Sequence, residues 1–164
     1  SAVVGTSAPN SENTFLCAPQ EYGDFVLEFE TRVHDSLNSG VQIRSKVRQE
    51  DDRVYGPQVE IEASLEGGAE AGYIYGEATG RGWLTPDSLL TPTQVFQDGQ
   101  WNQYRVRAEG PRIQTWVNGE QMADLTHEEI YENHQTGKVC LQVHGIGDEG
   151  PYTVSWRNIR IREL

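Results

Sequence analysis

The chain has 164 residues, the length of a single domain, and is 36% hydrophobic with 17 glycines. Its 25 acidic and 13 basic residues give a formal net charge of −12. That charge disfavours nucleic acid as a partner, because phosphates require a basic surface. No apolar run reaches the roughly 18 residues that a transmembrane helix needs, so no membrane span is expected.

Short strands separated by Gly, Asn, Asp and Pro follow one another along almost the whole chain. After short candidates at Val3-Val4 and Phe15-Leu16-Cys17, the clearest strand runs from Phe25 to Val33, with alternate apolar residues on one face. Further strands are predicted at 41–46, 57–62, 72–76, 102–108, 111–117, 138–144 and 152–163. Many short strands with almost no helix predict an all-β sandwich.

The connections between these strands carry their own signals. Glu109-Gly110 and Asn118-Gly119 are typical of tight hairpin turns. One short helical turn is predicted around 126–130, with Thr126 as its N-cap. The segment 76–100 is long, irregular and rich in Gly, Pro and Thr, and loops of this length in a compact domain are usually functional or mobile.

Several of the predicted strands alternate apolar residues with polar residues that are able to do chemistry. Because successive side chains of a strand point to opposite faces, the apolar set can enter a core while the polar set shares the other face. That face suits a polyhydroxylated ligand and would present Gln42, Arg44, Gln58, Glu60, Tyr73, Tyr75, Gln142 and His144.

The sequence is less specific about the setting in which the protein acts. The chain starts at Ser1 without Met, which suggests one domain over 1–164 that was processed or excised from a longer protein. Cys17 and Cys140 lack metal-type spacing. They are able to pair in an oxidising compartment, and free thiols are the alternative. We expect an extracytoplasmic location of the bacterial type, and the oligomeric state stays open.

Six motifs in order carry a resemblance to a known family. They are Asn38-Ser39-Gly40-Val41-Gln42-Ile43-Arg44, Gly72-Tyr73-Ile74-Tyr75, Gln100-Trp101-Asn102, Asn118-Gly119, Val139-Cys140-Leu141-Gln142-Val143-His144 and Trp156-Arg157-Asn158-Ile159-Arg160-Ile161. Together they resemble the 3-keto-disaccharide hydrolase family over nearly the whole chain, without the family's usual opening strand. The resemblance implies a concanavalin A-like jelly-roll β-sandwich of two antiparallel sheets. It also implies cleavage of glycosides that are already oxidised to a ketone at C3.

One segment departs from the pattern of that family. Members often show Gly-Tyr-Glu-x-Gln-Ile-x-Asp where this chain has the segment 56–63, Gly-Pro-Gln-Val-Glu-Ile-Glu-Ala. Gln58 therefore stands at the Glu position, Glu60 at the Gln position and Ala63 at the Asp position. If the Glu and Asp of the family are catalytic or bind a metal, this chain has either moved the carboxylate by one inward–outward period of the strand or lost the activity.

A 3-keto sugar needs a base near C2, donors for the enolate oxygen and an acid for the leaving group. His144 is the best candidate for the base, since its ordinary pKa lies near neutrality, and Glu60 is the best carboxylate. Both are also candidate ligands for a divalent metal ion, either Ca²⁺ or a transition metal. Structural or solvated roles in the strands are the alternatives for both residues.

Other polar residues suit substrate contact. Arg44 is a candidate to polarise the ketone, with pairing to Glu60 as the alternative. Aromatic contact with the sugar, or packing, is expected of the two tyrosines and Trp83. The candidate substrate-binding residues are Asn38, Gln42, Gln58, Tyr73, Tyr75, Glu77, Arg81, Trp83 and Gln142.

These residues are compatible with two functions. The first is an enzyme that cleaves 3-keto-glycosides by elimination and hydration, and the second is a lectin-like module that binds glycans on the same face. An ordinary β-glucanase is a weaker alternative, because its tight pair of carboxylates is lacking. The enzyme hypothesis requires Glu60 and His144 to converge in a single cleft.

Overall fold

The computed structural model describes residues 1–164 and consists of two six-stranded antiparallel sheets. The strands are β1 Val3–Thr6, β2 Thr14–Tyr22, β3 Phe25–Val33, β4 Ser39–Val47, β5 Val54–Ile61, β6 Ile74–Glu77, β7 Gly82–Trp83, β8 Asn102–Glu109, β9 Arg112–Val117, β10 Glu120–Thr126, β11 Gly137–Val143 and β12 Thr153–Glu163. The helical elements are a 3-10 turn at Asp87–Leu89 and α1 at Glu128–Asn133.

The first sheet has the strand order β1-β12-β3-β8-β9-β10, and the second has the order β2-β11-β4-β5-β6-β7. Every pairing in both sheets is antiparallel. Strands that are adjacent in sequence are often placed in different sheets, as β2 and β3 are. The predicted jelly-roll sandwich of two antiparallel sheets is confirmed.

A core of 27 buried residues fills the space between the sheets. Alternate residues of β3 (Phe25, Leu27, Phe29) face Val59 and Ile61 of the other layer, and all five are at most 3% exposed. This burial is the main stabilising term, because each fully buried apolar side chain contributes roughly 1.5–3 kcal/mol. The same alternation sends the intervening residues of β4 and β5 to the outer side of the second sheet.

The sequence-based elements differ from the structure in three places. The sequence predicted no strand at β7 or β10, although the Asn118-Gly119 turn signals a hairpin into β10. The helical turn begins later than predicted, and its N-cap is His127, whose Nδ1 accepts from the backbone N–H of Ile130, rather than Thr126. Thr126 is the last residue of β10, where it pairs with Arg112.

A disulfide joins Cys17 of β2 to Cys140 of β11. The two residues are direct partners across neighbouring strands, so the bond links the edge of the second sheet to its interior. The two cysteines are therefore paired, one of the two alternatives that the sequence left open. No helix of the structure has the length and apolar character to cross a membrane.

Candidate functional site

A cavity of about 660 Å³ opens on the polar face of the second sheet. Strand β5 supplies its floor, β6 and β7 one wall, and the end of β11 the other. It brings together seven residues that the sequence singled out: Asn38, Gln58, Glu60, Tyr75, Glu77, Trp83 and His144. Glu60 and His144 thus line a single cavity, which is the condition that the enzyme hypothesis requires.

Glu60 is the most perturbed acid of the cavity. It is 6% exposed, and both of its carboxyl oxygens are held by amides: Asn38 Nδ2 donates to Oε1, and Gln58 Nε2 donates to Oε2 at 3.1 Å. Burial raises the pKa of Glu60 to about 8, although the two hydrogen bonds act in the opposite direction. A carboxyl group with this pKa holds its proton near neutral pH and is suited to general acid work.

Close packing of two strands places the Gln58 amide beside Glu60. Gly40 of β4 lies directly opposite Glu60 of β5. A Cβ atom at Gly40 would lie 2.5 Å from the Gln58 side chain, so any larger residue there would displace it. Glycine at position 40 therefore leaves room for the amide that holds the carboxyl group.

His144 lies just after the end of β11, at the opposite side of the cavity from the β6–β7 hairpin. Its Nδ1 lies 2.6 Å from the carbonyl oxygen of Gly145. Because a carbonyl only accepts hydrogen bonds, this contact assigns the proton to Nδ1. In the neutral ring the lone pair is then on Nε2, where it is able to accept a proton.

Glu77 also lines the cavity, as the sequence predicted, but the two residues that bind its carboxylate were not predicted. Glu77, which is 7% exposed, accepts a hydrogen bond from Arg53 at 2.9 Å and one from Asn13 Nδ2 at 3.3 Å. Asn13 Oδ1 also accepts from the backbone N–H of Gly145, which links the segment before β2 to the His144 loop. Sequence reasoning missed Asn13 and Arg53, because both lie outside the predicted strands and no local pattern marks them.

An aromatic wall completes the cavity. Tyr75 of β6 and Trp83 of β7 are direct strand partners, and their rings meet edge to face with centroids 5.2 Å apart. Both are half-buried, so parts of each ring face the cavity. The hairpin that joins them requires left-handed backbone at Ala78 and Gly80, with φ of 54° and 77°. Such a wall suits the apolar face of a sugar ring.

The prediction that Arg44 faces this cavity is corrected by the structure. Arg44 is 2% exposed and donates to the carbonyls of Gly23 and Gly110, each at 2.7 Å, and to Asp24 at 2.8 Å. A β-bulge between Gln42 and Lys46 breaks the alternation of β4, and Arg44 adopts a φ of 44° within it. Arg44 therefore ties two turns together, and Arg53 is the arginine that lines the cavity.

Two further candidates also lie outside the cavity. Tyr73 precedes β6 and is buried in the core, where its hydroxyl donates to the Thr91 carbonyl at 2.7 Å. Gly72, with a φ of 85°, interrupts the alternation on which the prediction depended. Arg81 lies in a neighbouring shallow pocket and pairs with Glu129 of α1 at 2.6 Å.

Gln42 and Gln142 are buried and do not line the cavity. Gln42 pairs with Gln58 across the strands, and both Gln42 and Gln142 are fully buried. Gln42 Nε2 donates to Ser45 Oγ at 3.1 Å, whereas neither polar atom of the Gln142 side chain has a protein partner. Neither glutamine reaches the cavity surface, so the predicted contact with substrate is corrected for both.

Glu62 and Ala63 follow β5 and also lie away from the cavity. Glu62 is half-buried, and its carboxylate accepts from the Glu70 backbone at 3.3 Å. Burial, with the neighbouring Glu70, raises the pKa of Glu62 to about 7. Ala63 is 5% exposed and packs in the core. An acid at position 63 would therefore not face this cavity.

The structure contains no group of three or more His, Cys, Asp or Glu side chains arranged to hold a metal ion. Glu60, Glu77 and His144 line one cavity, but the three side chains are not placed to share one ion. The donor set thus does not fit a protein-held metal site, and the divalent ion suggested by the sequence stays a prediction.

The chain matches the family model of the 3-keto-alpha-glucoside-1,2-lyase-like domain over residues 2–162. The chain belongs to this family. The resemblance drawn from the six sequence motifs is thereby confirmed, and the family points to a carbohydrate-active protein. No curated protein matches the chain at a significant level.

Solved structures support the fold. A candidate glycosyl hydrolase of Parabacteroides distasonis superimposes with a TM-score of 0.68 at 20% identity, covering 99% of this chain and 80% of that one. The carbohydrate-binding module CBM66 of Bacillus subtilis gives 0.63 at 14% identity, covering 98% and 95%. The alginate lyase Aly36B, solved with an alginate tetrasaccharide, gives 0.53 at 11% identity, covering 99% and 81%. At these identities the likeness extends to the fold alone.

Proposed function

We propose that the protein cleaves 3-keto-glycosides by elimination followed by hydration. The observation that carries the proposal is the shared cavity of Glu60 and His144, in which the carboxyl group keeps its proton near neutral pH and the imidazole has a free Nε2. The family supports the same class of reaction, since its description names a 1,2-lyase acting on a 3-keto-α-glucoside.

In the elimination, His144 Nε2 takes the proton from C2, which the neighbouring ketone at C3 makes acidic. The electron pair of the C2–H bond moves onto the ketone oxygen as an enolate. When the enolate reforms the ketone, the C1–O bond breaks and C1=C2 forms. Glu60 gives its proton to the departing oxygen.

In the hydration, water supplies a proton to the Glu60 carboxylate and its oxygen bonds to C1. The imidazolium of His144 then returns a proton to C2. Both residues regain their starting states, and the net change is hydrolysis of the glycosidic bond. Donors for the enolate oxygen are available from the Arg53 guanidinium and the Asn13 amide, which line the same cavity.

Aglycone release from a chromogenic 3-keto-glucoside tests the proposal, with the unoxidised glucoside as control. We expect release from the keto form only, with a loss of about a hundredfold or more in Glu60→Gln and His144→Ala. Glu62→Gln and His34→Ala are matched controls outside the cavity and should keep the activity. A parallel reaction with a chelator tests the predicted divalent ion. Equal losses in Glu62→Gln and Glu60→Gln would overturn the assignment.

A second candidate function is a glycan-binding module that uses the same cavity. Gln58 favours this function. Members of the family often have a glutamate at this position of the cavity, whereas this chain has an amide, which cannot transfer a proton. The neighbouring fold of a carbohydrate-binding module is compatible with it. Glycan binding at the cavity without any aglycone release would support this function over the enzyme.

We also infer an extracytoplasmic location. The Cys17–Cys140 disulfide supports it, because structural disulfides persist in oxidising compartments. The inference is tested by denaturing cell extracts in the presence of an alkylating agent, because Cys140 is buried in the native protein. An intact disulfide that resists alkylation is expected, and two alkylated thiols would contradict the inference.

A further inference from the structure

We propose that the outer face of the first sheet carries a second glycan-binding groove, selective for chains that bear carboxylate groups. The groove has a volume of about 550 Å³ and lies on the other sheet of the sandwich from the cavity of Glu60. Its lining includes Glu28, Glu30, Gln103, Arg105, Trp116 and Arg160, and Glu30 is already paired with Arg157.

A single row of side chains crosses four strands of this sheet. Arg160 of β12 pairs with Glu28 of β3, Glu28 pairs with Arg105 of β8, and Arg105 pairs with Trp116 of β9. Directly opposite residues of antiparallel strands share a face, so the four side chains are neighbours on the outer surface. Glu28, Arg105 and Arg160 are exposed, and Trp116 is half-buried.

Neither arginine of this row forms an ion pair with a carboxylate, although the chain has a net charge of −12. The seven ion pairs of the structure use Arg44, Arg48, Arg53, Arg81, Arg107, Arg112 and Arg157. The four arginines outside these pairs all lie on β3, β8 or β12 of the first sheet, and all four are exposed: Arg32, Arg105, Arg160 and Arg162. An acidic protein thus keeps its free guanidinium groups on one surface, which complements an anionic ligand.

Flat surfaces lie beside these charges. The Arg105 guanidinium lies 5.5 Å from the centroid of the Trp116 ring. At the neighbouring edge Trp101 is contacted by Arg32 at 5.1 Å and by Arg157 at 4.1 Å. These cation–π contacts order the arginine side chains beside the indole rings, so the groove offers sugar rings an ordered aromatic surface with N–H donors at its rim.

The pattern of charges favours a carboxylated chain over a neutral or a uniformly anionic one. Guanidinium groups bind carboxylates through paired hydrogen bonds. Arg105 and Arg160 lie on either side of Glu28, about 10 Å apart at the backbone, so a chain rather than a single sugar spans both. Glu28 accepts hydroxyl hydrogens and repels a carboxylate at the centre. The charged groups of the ligand are therefore expected at the two ends of the groove.

Binding of oligogalacturonate, followed by calorimetry, tests the groove, with dextran oligomers as the neutral comparison. We expect binding of the acidic chain that weakens with salt, and a loss of about tenfold or more in the double variant Arg105→Gln/Arg160→Gln. The control Arg48→Gln/Arg81→Gln removes the same charge from the other side of the molecule and should bind normally. Trp116→Ala should weaken binding without changing its salt dependence.

No binding of the acidic chain, equal losses in the two double variants, or equally tight binding of dextran would each overturn the proposal. The readout involves no turnover, so the groove is tested independently of the proposed reaction.

Discussion

The side-chain amide of Gln58 donates to Oε2 of Glu60 at 3.1 Å, from two positions earlier on the same strand. Both residues line the cavity because side chains two apart in a strand share a face. Members of the family often have a glutamate at position 58, and a glutamate there would place its carboxyl group beside that of Glu60. In this chain a neutral amide therefore donates to the single acid, Glu60. With glutamate at position 58, two acids would compete for one proton.

The Gln58 amide should lower the pKa of Glu60 through this hydrogen bond. Gln58→Met keeps a similar volume but removes the hydrogen bond that favours the ionised form, so the pKa of Glu60 should rise above its value of about 8. If Glu60 acts as the acid, the alkaline limb of the pH profile for aglycone release moves to higher pH. Carbon NMR of the labelled carboxyl group measures the same shift directly.

Gln42→Met is the matched control for this change. Gln42 is a buried glutamine on the same face, but its amide donates to Ser45 and not to Glu60. Its substitution should leave the pKa of Glu60 unchanged. A Glu60 pKa that stays constant or falls in Gln58→Met would contradict the hydrogen-bond account.

Folding stability should depend on the pH through Glu60. The pKa is about 8 in the folded protein against an ordinary 4.5, so the folded state binds the proton more tightly. Below pH 4.5 both states are protonated, and the full stability is present. Between pH 4.5 and about pH 8, Glu60 is ionised in the unfolded state and protonated in the folded state. Over this range the free energy of unfolding therefore falls by roughly 1.4 kcal/mol per pH unit as the pH rises.

Urea unfolding of the wild type and Glu60→Gln at pH 5 and at pH 8 tests this linkage. The variant lacks the ionisable group, so it should not lose this part of the free energy of unfolding from pH 5 to pH 8. Relative to the wild type, the variant should therefore be more stable at pH 8 than at pH 5. Glu62 titrates in both proteins, and its contribution cancels in the comparison. A difference between the two proteins that is the same at both pH values is the outcome that rules the linkage out.

Arg44 should contribute to stability rather than to the site. Arg44→Gln removes a buried guanidinium and leaves the half-buried carbonyls of Gly23 and Gly110 without their donor, and we expect a loss of about 2–4 kcal/mol in the free energy of unfolding. Arg48→Gln breaks a solvent-exposed pair with Asp51 and should change the free energy of unfolding far less, because solvent screens exposed ion pairs. Comparable losses in the two variants would show that Arg44 is not a structural tie.

The disulfide should also stabilise the fold. The bond closes a chain segment with a sequence separation of 123 residues, and removing a native disulfide typically costs about 2–5 kcal/mol. Cys17→Ser/Cys140→Ser should therefore unfold at a lower urea concentration than the wild type. The denatured wild type should react with no alkylating agent until a reductant is added. Unchanged stability in the variant would contradict this role.

Strand alternation predicted the part of the site that lies on regular strands. Gln58 and Glu60 on β5, Tyr75 on β6 and His144 at the end of β11 all follow the period of two and meet in one cavity. The core residues of the same strands were correctly assigned for the same reason. Regular pleating is a local property, so local sequence is sufficient to predict it.

The side-chain orientations were predicted wrongly where the backbone departs from the two-residue alternation of a strand. Arg44 lies in a bulge and Tyr73 follows a glycine with positive φ, and both side chains leave the predicted face. Asn13 and Arg53 reach the cavity through long-range packing of segments that carry no pattern of their own. Contacts of this kind depend on the whole fold, which explains why reading the strands one at a time misses them.

Cleavage in D₂O shows whether the reaction passes through loss of the C2 proton. Elimination followed by hydration predicts one deuterium at C2 of the released 3-keto sugar, detected by NMR at early times and corrected with an enzyme-free control. Glu60→Gln and His144→Ala should lose this label together with the aglycone release. Deuterium enters when the imidazolium N–H of His144 exchanges with D₂O before it returns a proton to C2. A C2 that stays fully protiated, together with an unchanged rate of aglycone release from a C2-deuterated substrate, would contradict the elimination, because a direct displacement at C1 by water never breaks the C2–H bond.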